Sequence, residues 1–194
     1  MTRLALLRHG HTPWNRAGRI QGRSDIPLDD DARQDLAGYA LPEPWDKAEL
    51  WSSPLQRAVE TARLVSERTP DTHDALTEMN WGEWEGLRGV DLIADPDSGY
   101  RHIEDWSWQF RPPGGESPAE LWHRVRPWLD GLQADTVAVC HIGIMRVILA
   151  SAWGWNFDGP PPFKIKRNRL YIFETQPLRA WPEPVRLIRS EPVA

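Results

Sequence analysis

The stretch Arg3-Leu4-Ala5-Leu6-Leu7-Arg8-His9-Gly10-His11-Thr12-Pro13-Trp14-Asn15 decides how the rest of the chain is read. Leu4-Ala5-Leu6-Leu7 is a short, continuous apolar run without polar alternation, the pattern of a strand covered on both faces. It stops at Arg8-His9-Gly10, so a guanidinium and an imidazole stand at the carboxyl end of a core strand. In open α/β sheets ligands bind at that edge, because the strands end there and the following loops and helix starts expose backbone N–H groups. Gly10 lets the backbone turn tightly or approach a bound group. On this reading His9 is a nucleophile and Arg8 an anion clamp.

The arrangement recurs. Thr136-Val137-Ala138-Val139-Cys140 is a β-branched, apolar strand that ends at His141, and Gly143 opens a helix over 144–153. Two core strands therefore each deliver a histidine and then a glycine to one sheet edge.

Composition bounds the alternatives. With 194 residues, 40% of them hydrophobic and 26% charged, the chain has material for a single domain over 1–194 with a small insertion. A net charge of -5 leaves no electrostatic footprint for nucleic acid, and no basic stretch argues for a membrane surface. The single Cys140 excludes an internal disulfide and a cysteine-based zinc cage. No apolar run nears the roughly 18 residues that span a bilayer, and Met1 leads straight into the first strand, so a cytoplasmic location is expected. Oligomeric state is not legible.

Between the two histidines, 12–27 has no period and carries Gly18 and Gly22, which reads as a long loop over the strand end. Its Asn15 and Gln21 can donate to phosphate oxygens without adding charge, or can simply pin the loop. Residues 29–39 form a surface helix capped by Asp29 or Asp30, and 48–52 a second strand. Ser53-Pro54-Leu55-Gln56 has the form of a capping box that opens a helix to about residue 68, with Leu55, Ala58, Val59, Ala62 and Val65 as its apolar stripe. Arg57 lies off that stripe in the first turn, where a cation opposes the helix dipole by about 0.3–1 kcal/mol. Either an anion is held there or Arg57 is a solvated surface residue.

The acidic, aromatic stretch 76–86 contains Glu78, Glu83 and Glu85, of which one can serve as a general acid. Residues 87–115 are irregular and read as a cap insertion; its Trp106, Trp108 and Phe110 either line a pocket or form the cap's own core. Ser117-Pro118-Ala119-Glu120 repeats the capping-box signature and opens a helix to about residue 133, kinked at Pro127. Residues 170–173 and 185–188 read as a closing hairpin on the sheet edge.

Taken together, the stretches 7–15, 52–62, 78–86, 113–117 and 141–146 resemble the histidine phosphatase superfamily, the phosphoglycerate mutase-like family, in the family's order along the chain. The resemblance implies a three-layer α/β sandwich with a largely parallel central sheet, helices on both faces and a small cap insertion. It implies a metal-independent, cofactor-free phosphatase in which His9 attacks phosphorus, Arg8, Arg57 and His141 hold the phosphoryl oxygens, and Glu78 protonates the leaving oxygen and then activates water. Asn15 and Gln21 match loop positions that contact substrate. The expected partner is a small phosphorylated metabolite; within the family the chain looks most like the small bacterial phosphatases, α-ribazole phosphatases among them. A phosphoglycerate mutase and a non-catalytic phosphate-binding member are the alternatives.

Three departures from the family pattern are His11 where Glu or Gln is frequent, Ile142 where Gly is usual after the second histidine, and Asp35-Leu36 in place of Gln-Ala. Ile142 matters most, since a β-branched side chain beside the phosphate narrows the site or shifts substrate preference. His9-Gly10-His11 is also a spacing that binds zinc, but the barrel that usually presents it needs about 250 residues.

Overall fold

The computed structural model describes residues 2–189. Its elements in chain order are β1 (Arg3–Arg8), α1 (Pro13–Arg16), α2 (Asp30–Leu36), β2 (Tyr39–Ala40), β3 (Glu49–Ser52), α3 (Gln56–Ser66), β4 (Asp71–Thr72), α4 (Gly89–Ala94), α5 (Pro118–Asp130), β5 (Thr136–Cys140), α6 (Ile142–Trp153), β6 (Arg169–Thr175), β7 (Leu178–Ala180), β8 (Val185–Arg186) and β9 (Ile188–Arg189). The main sheet runs β4-β3-β5-β1-β6-β7, with β8 also paired to β6. β4, β3, β5 and β1 are mutually parallel, and β6 to β8 extend the sheet antiparallel.

The alternation of β1 builds the three layers. Leu4 and Leu6 face a cluster that includes Leu121, Val125 and Leu129 of α5 and Ile144 and Ile148 of α6. Ala5 and Leu7 face the other way, onto Ala32 and Leu36 of α2 and Ala58, Ala62 and Val65 of α3. All four β1 residues are fully buried, which is why the run carries no polar alternation. No helix among the described residues is long and apolar enough to cross a membrane.

Several local expectations change. The stretch read as a loop after His9 contains a short helix, α1, capped by Thr12 through a reciprocal box with Asn15. α2 starts at the predicted cap, Asp29, but ends at Leu36. α3 begins at Gln56, not beside Ser53, because the non-local Asp25 accepts from the Gln56 backbone N–H at 2.8 Å and the Ser53 hydroxyl is committed elsewhere. α5 has the predicted Ser117–Glu120 capping box, runs through Pro127 and ends at Asp130. The closing hairpin is β6 with β7, and β6 is not at the edge: it pairs β1, while the segment after 185 splits between β6 and a separate pairing of β9 with β2.

Candidate active site

β1 and β5 are adjacent and parallel with Arg8 opposite Cys140, so His9 and His141 leave corresponding points of neighbouring strands. The His9 N–H donates to the Cys140 carbonyl at 3.0 Å, which holds the first residue past the strand in register. The two imidazole centroids are 5.1 Å apart, and both rings are buried. Gly10 is required by close approach: a Cβ there would stand 2.6 Å from Leu36 Cδ1 of α2.

The imidazoles are wired differently. His9 Nδ1 lies 2.7 Å from the Gly10 carbonyl, an acceptor only, so Nδ1 carries the proton and Nε2 the lone pair. Burial first, then Arg57, Arg8 and Arg167, hold its pKa well below the usual imidazole range and keep the ring neutral. His141 pairs through Nε2 with Ser53 Oγ at 2.7 Å, and its buried Nδ1 has no partner among the described residues. Burial, then Arg57 and His9, depress its pKa too.

His9, Arg8, Asn15, Gln21, Arg57 and Glu78 line one cavity of about 240 Å³; His141, fully buried beside His9, is not on its wall. Arg57 is fully buried, so it is no surface residue. Its Nη1 and Nη2 donate to the carbonyls of Ser24 (2.7 Å) and Gly22 (2.8 Å), which fixes the overlying loop, and its Nε has no partner among the described residues. Arg8 Nε is likewise buried and unpaired among them. Asn15 and Gln21 each have the carbonyl oxygen engaged, by the Thr12 N–H and Arg167 Nη2 for Asn15 and by the Thr12 hydroxyl for Gln21. Their NH2 groups remain as donors.

Glu78 is 5% exposed, and its Oε1 accepts from the backbone N–H groups of Met79 (2.8 Å) and Gly143 (3.0 Å). A side chain at 143 would collide with this carboxyl, so glycine is what seats it. Burial raises the Glu78 pKa despite those N–H groups and the opposing Arg57 and Arg146, favouring the proton a general acid must carry. Glu85 is structural: it accepts from the backbones of Arg23, Ser24 and Trp81 and from the Ser24 hydroxyl. Glu83 is exposed.

Two arginines that the sequence pattern does not single out join the site. Arg146 lines the cavity from α6, where it is the one charged residue in an otherwise apolar and small-residue helix, a signal legible in the sequence. Arg167 donates to the His9 carbonyl at 3.1 Å and to Asn15 Oδ1 at 3.0 Å, and burial lowers its pKa to about 9. It precedes β6, and only the antiparallel pairing of β6 with β1 brings it to this edge. The aromatic cap resolves in favour of packing: Trp106 stacks on Phe110 at 4.8 Å and the Trp108 indole N–H donates to Asn156, and none of the three lines the cavity. Trp81 and Tyr100 do. Among the described residues no group of three or more His, Cys, Asp or Glu side chains is placed to hold a metal.

A family model described as histidine phosphatase superfamily (branch 1) matches residues 4–182. Over 169 residues the chain is 36% identical to a glucosyl-3-phosphoglycerate phosphatase of Mycobacterium tuberculosis, covering 77% of this chain and 74% of that one. It is 35% identical over 163 residues to a bifunctional protein of the same organism, 78% of this chain but 44% of that protein, so it spans less than half the length of that relative. Among solved structures, TTHB049 from Thermus thermophilus superposes with a TM-score of 0.74 at 30% identity, over 96% of this chain and 99% of the other.

Proposed function

The chain belongs to the histidine phosphatase superfamily, and on that premise we propose that it hydrolyses small phosphate monoesters, without a metal, through a phosphohistidine on His9. One observation carries the reading: three buried polar atoms without partners among the described residues belong to side chains around His9, Arg8 Nε and Arg57 Nε on residues that line the same cavity and His141 Nδ1 on the ring 5.1 Å from that of His9, whose neutral imidazole bears a lone pair on Nε2. Buried polar groups are almost always paired, so three in one place call for a ligand with several acceptor oxygens. A phosphoryl group is that ligand. The mycobacterial relative, a glucosyl-3-phosphoglycerate phosphatase, supports the same class.

In the first step His9 Nε2 attacks phosphorus, the P–N bond forms, the ester P–O bond breaks, and the leaving oxygen takes the proton of Glu78. In the second, the Glu78 carboxylate accepts a proton from water as the water oxygen bonds phosphorus and the P–N bond breaks, which releases inorganic phosphate and restores neutral His9. Arg8 and Arg57 offset the charge on the equatorial oxygens. His141 contributes a donor: Ser53 Oγ already accepts from the Leu55 N–H at 3.3 Å, so its own O–H is available for His141 Nε2, which leaves the His141 proton on Nδ1. Turnover of an aryl phosphate in the presence of a strong chelator tests this reading; activity lost on exhaustive chelation and restored by a divalent ion contradicts it.

A further inference from the structure

The peptide that joins His9 to Gly10 is held from both sides. Its N–H donates to Thr61 Oγ1 on α3 at 3.0 Å, and its carbonyl accepts from Arg167 Nε, just before β6, at 3.1 Å. A planar trans peptide points these two groups in opposite directions, so fixing both fixes the plane. The His9 side chain is attached at one edge of that plane, and its Nδ1 bonds the Gly10 carbonyl beyond the other at 2.7 Å, so the aim of Nε2 follows the plane. The second arm of the same guanidinium sets another group. Arg167 Nη2 donates to Asn15 Oδ1 at 3.0 Å, and the Thr12 N–H donates to the same oxygen at 3.2 Å. An amide turned end for end would set its NH2 against both donors, so the oxygen stays here and the NH2 is the end left for the cavity that Asn15 lines.

Ion pairing does not account for Arg167. The charges that act on it are mostly like ones, Arg8 and Arg16, and the one acid among them, Asp29, is already paired with Arg16. Like charges held near one another oppose folding, so the position has a reason other than stability. Arg167 is not itself on the cavity wall, so any effect on the chemistry passes through His9 and Asn15. Its charge bears on His9 as well. That ring faces Arg57 on α3, Arg8 at the end of β1 and Arg167, with His141 beside it and Glu78 on the same cavity; the three cations add to burial in keeping it neutral.

Resting on the phosphatase reading above, we propose that Arg167 is a positioning residue whose one guanidinium fork sets both the peptide that aims His9 Nε2 and the amide that turns the Asn15 NH2 toward the phosphoryl group. Nucleophile and donor are thereby aligned together.

The test is a cycle of variants in the full chain, Arg167→Met, Asn15→Ala and both together, followed by kinetics on an aryl phosphate and by calorimetry with inorganic phosphate. Arg167→Met should lower kcat/KM by about 10–100-fold. The acid limb of its kcat/KM profile should also move to higher pH, because a cation that disfavours the imidazolium is gone. Asn15→Ala should cost about tenfold in kcat/KM and in phosphate affinity when made alone, and almost nothing in the Arg167→Met background. Arg167→Lys keeps the charge but loses the fork, so it should hold the acid limb near its original pH while the rate stays lowered; it also covers the case in which Arg167→Met does not fold. A side chain that merely braced the fold would leave the two losses to multiply and the limb in place. Either result overturns the proposal, as does full activity in Arg167→Met. If the unsubstituted protein hydrolyses no aryl phosphate, the phosphatase reading falls instead, and the phosphate affinities decide this proposal by themselves: a loss from Asn15→Ala that persists in the Arg167→Met background overturns it.

Discussion

The ends of β1 and β5 carry the same sequence of events, a core strand, a histidine and a glycine, yet the two imidazoles present different atoms. His9 gives its Nδ1 proton to the carbonyl of the next residue, which leaves Nε2 as a lone pair. His141 is tied through Nε2 to Ser53, which leaves Nδ1. Their supports come from different elements. The Gly10 N–H donates to Thr61 Oγ1 at 3.0 Å and Arg167 to the His9 carbonyl, whereas the His141 carbonyl accepts from the Met145 N–H at 3.1 Å in the first turn of α6 and its ring is tied to the Ser53 hydroxyl. A shared motif thus leaves Nε2 open at one strand end and Nδ1 at the other, and what separates them is the partner of a single ring nitrogen.

The largest expected effect follows from that division. His9→Ala should lower kcat by roughly 10⁴-fold or more, because the covalent route is gone, while His141→Ala should cost roughly 10²–10³-fold through lost charge stabilisation. Steady-state kinetics on an aryl phosphate measure both. Equal losses would erase the distinction.

Next comes pH. His9 must be neutral to attack, and its pKa is depressed, so kcat/KM should hold level as pH falls through the ordinary imidazole range near 6.5 and decline only well below it. Glu78 must be protonated to assist the leaving group, and its pKa is raised, so the alkaline limb should lie above the usual carboxyl range. Glu78→Gln should remove that limb and cut kcat far more for an alkyl than for an activated aryl phosphate. Folding responds with a fixed sign: both histidines bind protons more readily unfolded than folded, so stability is lost as pH drops below about 6.5, which a pH series of denaturation midpoints would show.

Smaller effects come from the supports. Ser53→Ala should lower kcat by about tenfold by freeing the His141 ring, and cost about 1–2 kcal/mol because the buried His141 Nε2 and the Leu55 N–H lose their partner. Thr61→Val should cost a similar amount, because the Gly10 N–H loses its partner and the Arg57 carbonyl one of its donors, with a smaller kinetic effect. If Ser53→Ala were the silent one in kinetics, the wiring of His141 would not govern its role.

How much of this is legible in the sequence depends on how local each feature is. β1, β5 and the two histidines can be read because an apolar run that halts at a charged residue is a short-range signal. Arg8 is read with them from the same strand end, whereas Arg57 needs the family resemblance and is buried where its helical position alone suggests a surface. Ser53 reads as a cap and is not one, because the competing partners, Asp25 for the helix and His141 for the hydroxyl, come from distant segments. Arg167 is invisible for the same reason: the β6 pairing that carries it to the site spans nearly the whole chain. Arg146 is visible as a lone charge in an apolar helix, but only the fold places it on the cavity wall.

Where the phosphoryl group is trapped decides between the two histidines most directly. The protein mixed with an aryl phosphate, quenched into alkali, in which phosphohistidine survives, and mapped by mass spectrometry should carry the label on the peptide holding His9; the label should persist in His141→Ala and vanish in His9→Ala. A label on the peptide holding His141, or one that survives His9→Ala, would contradict it.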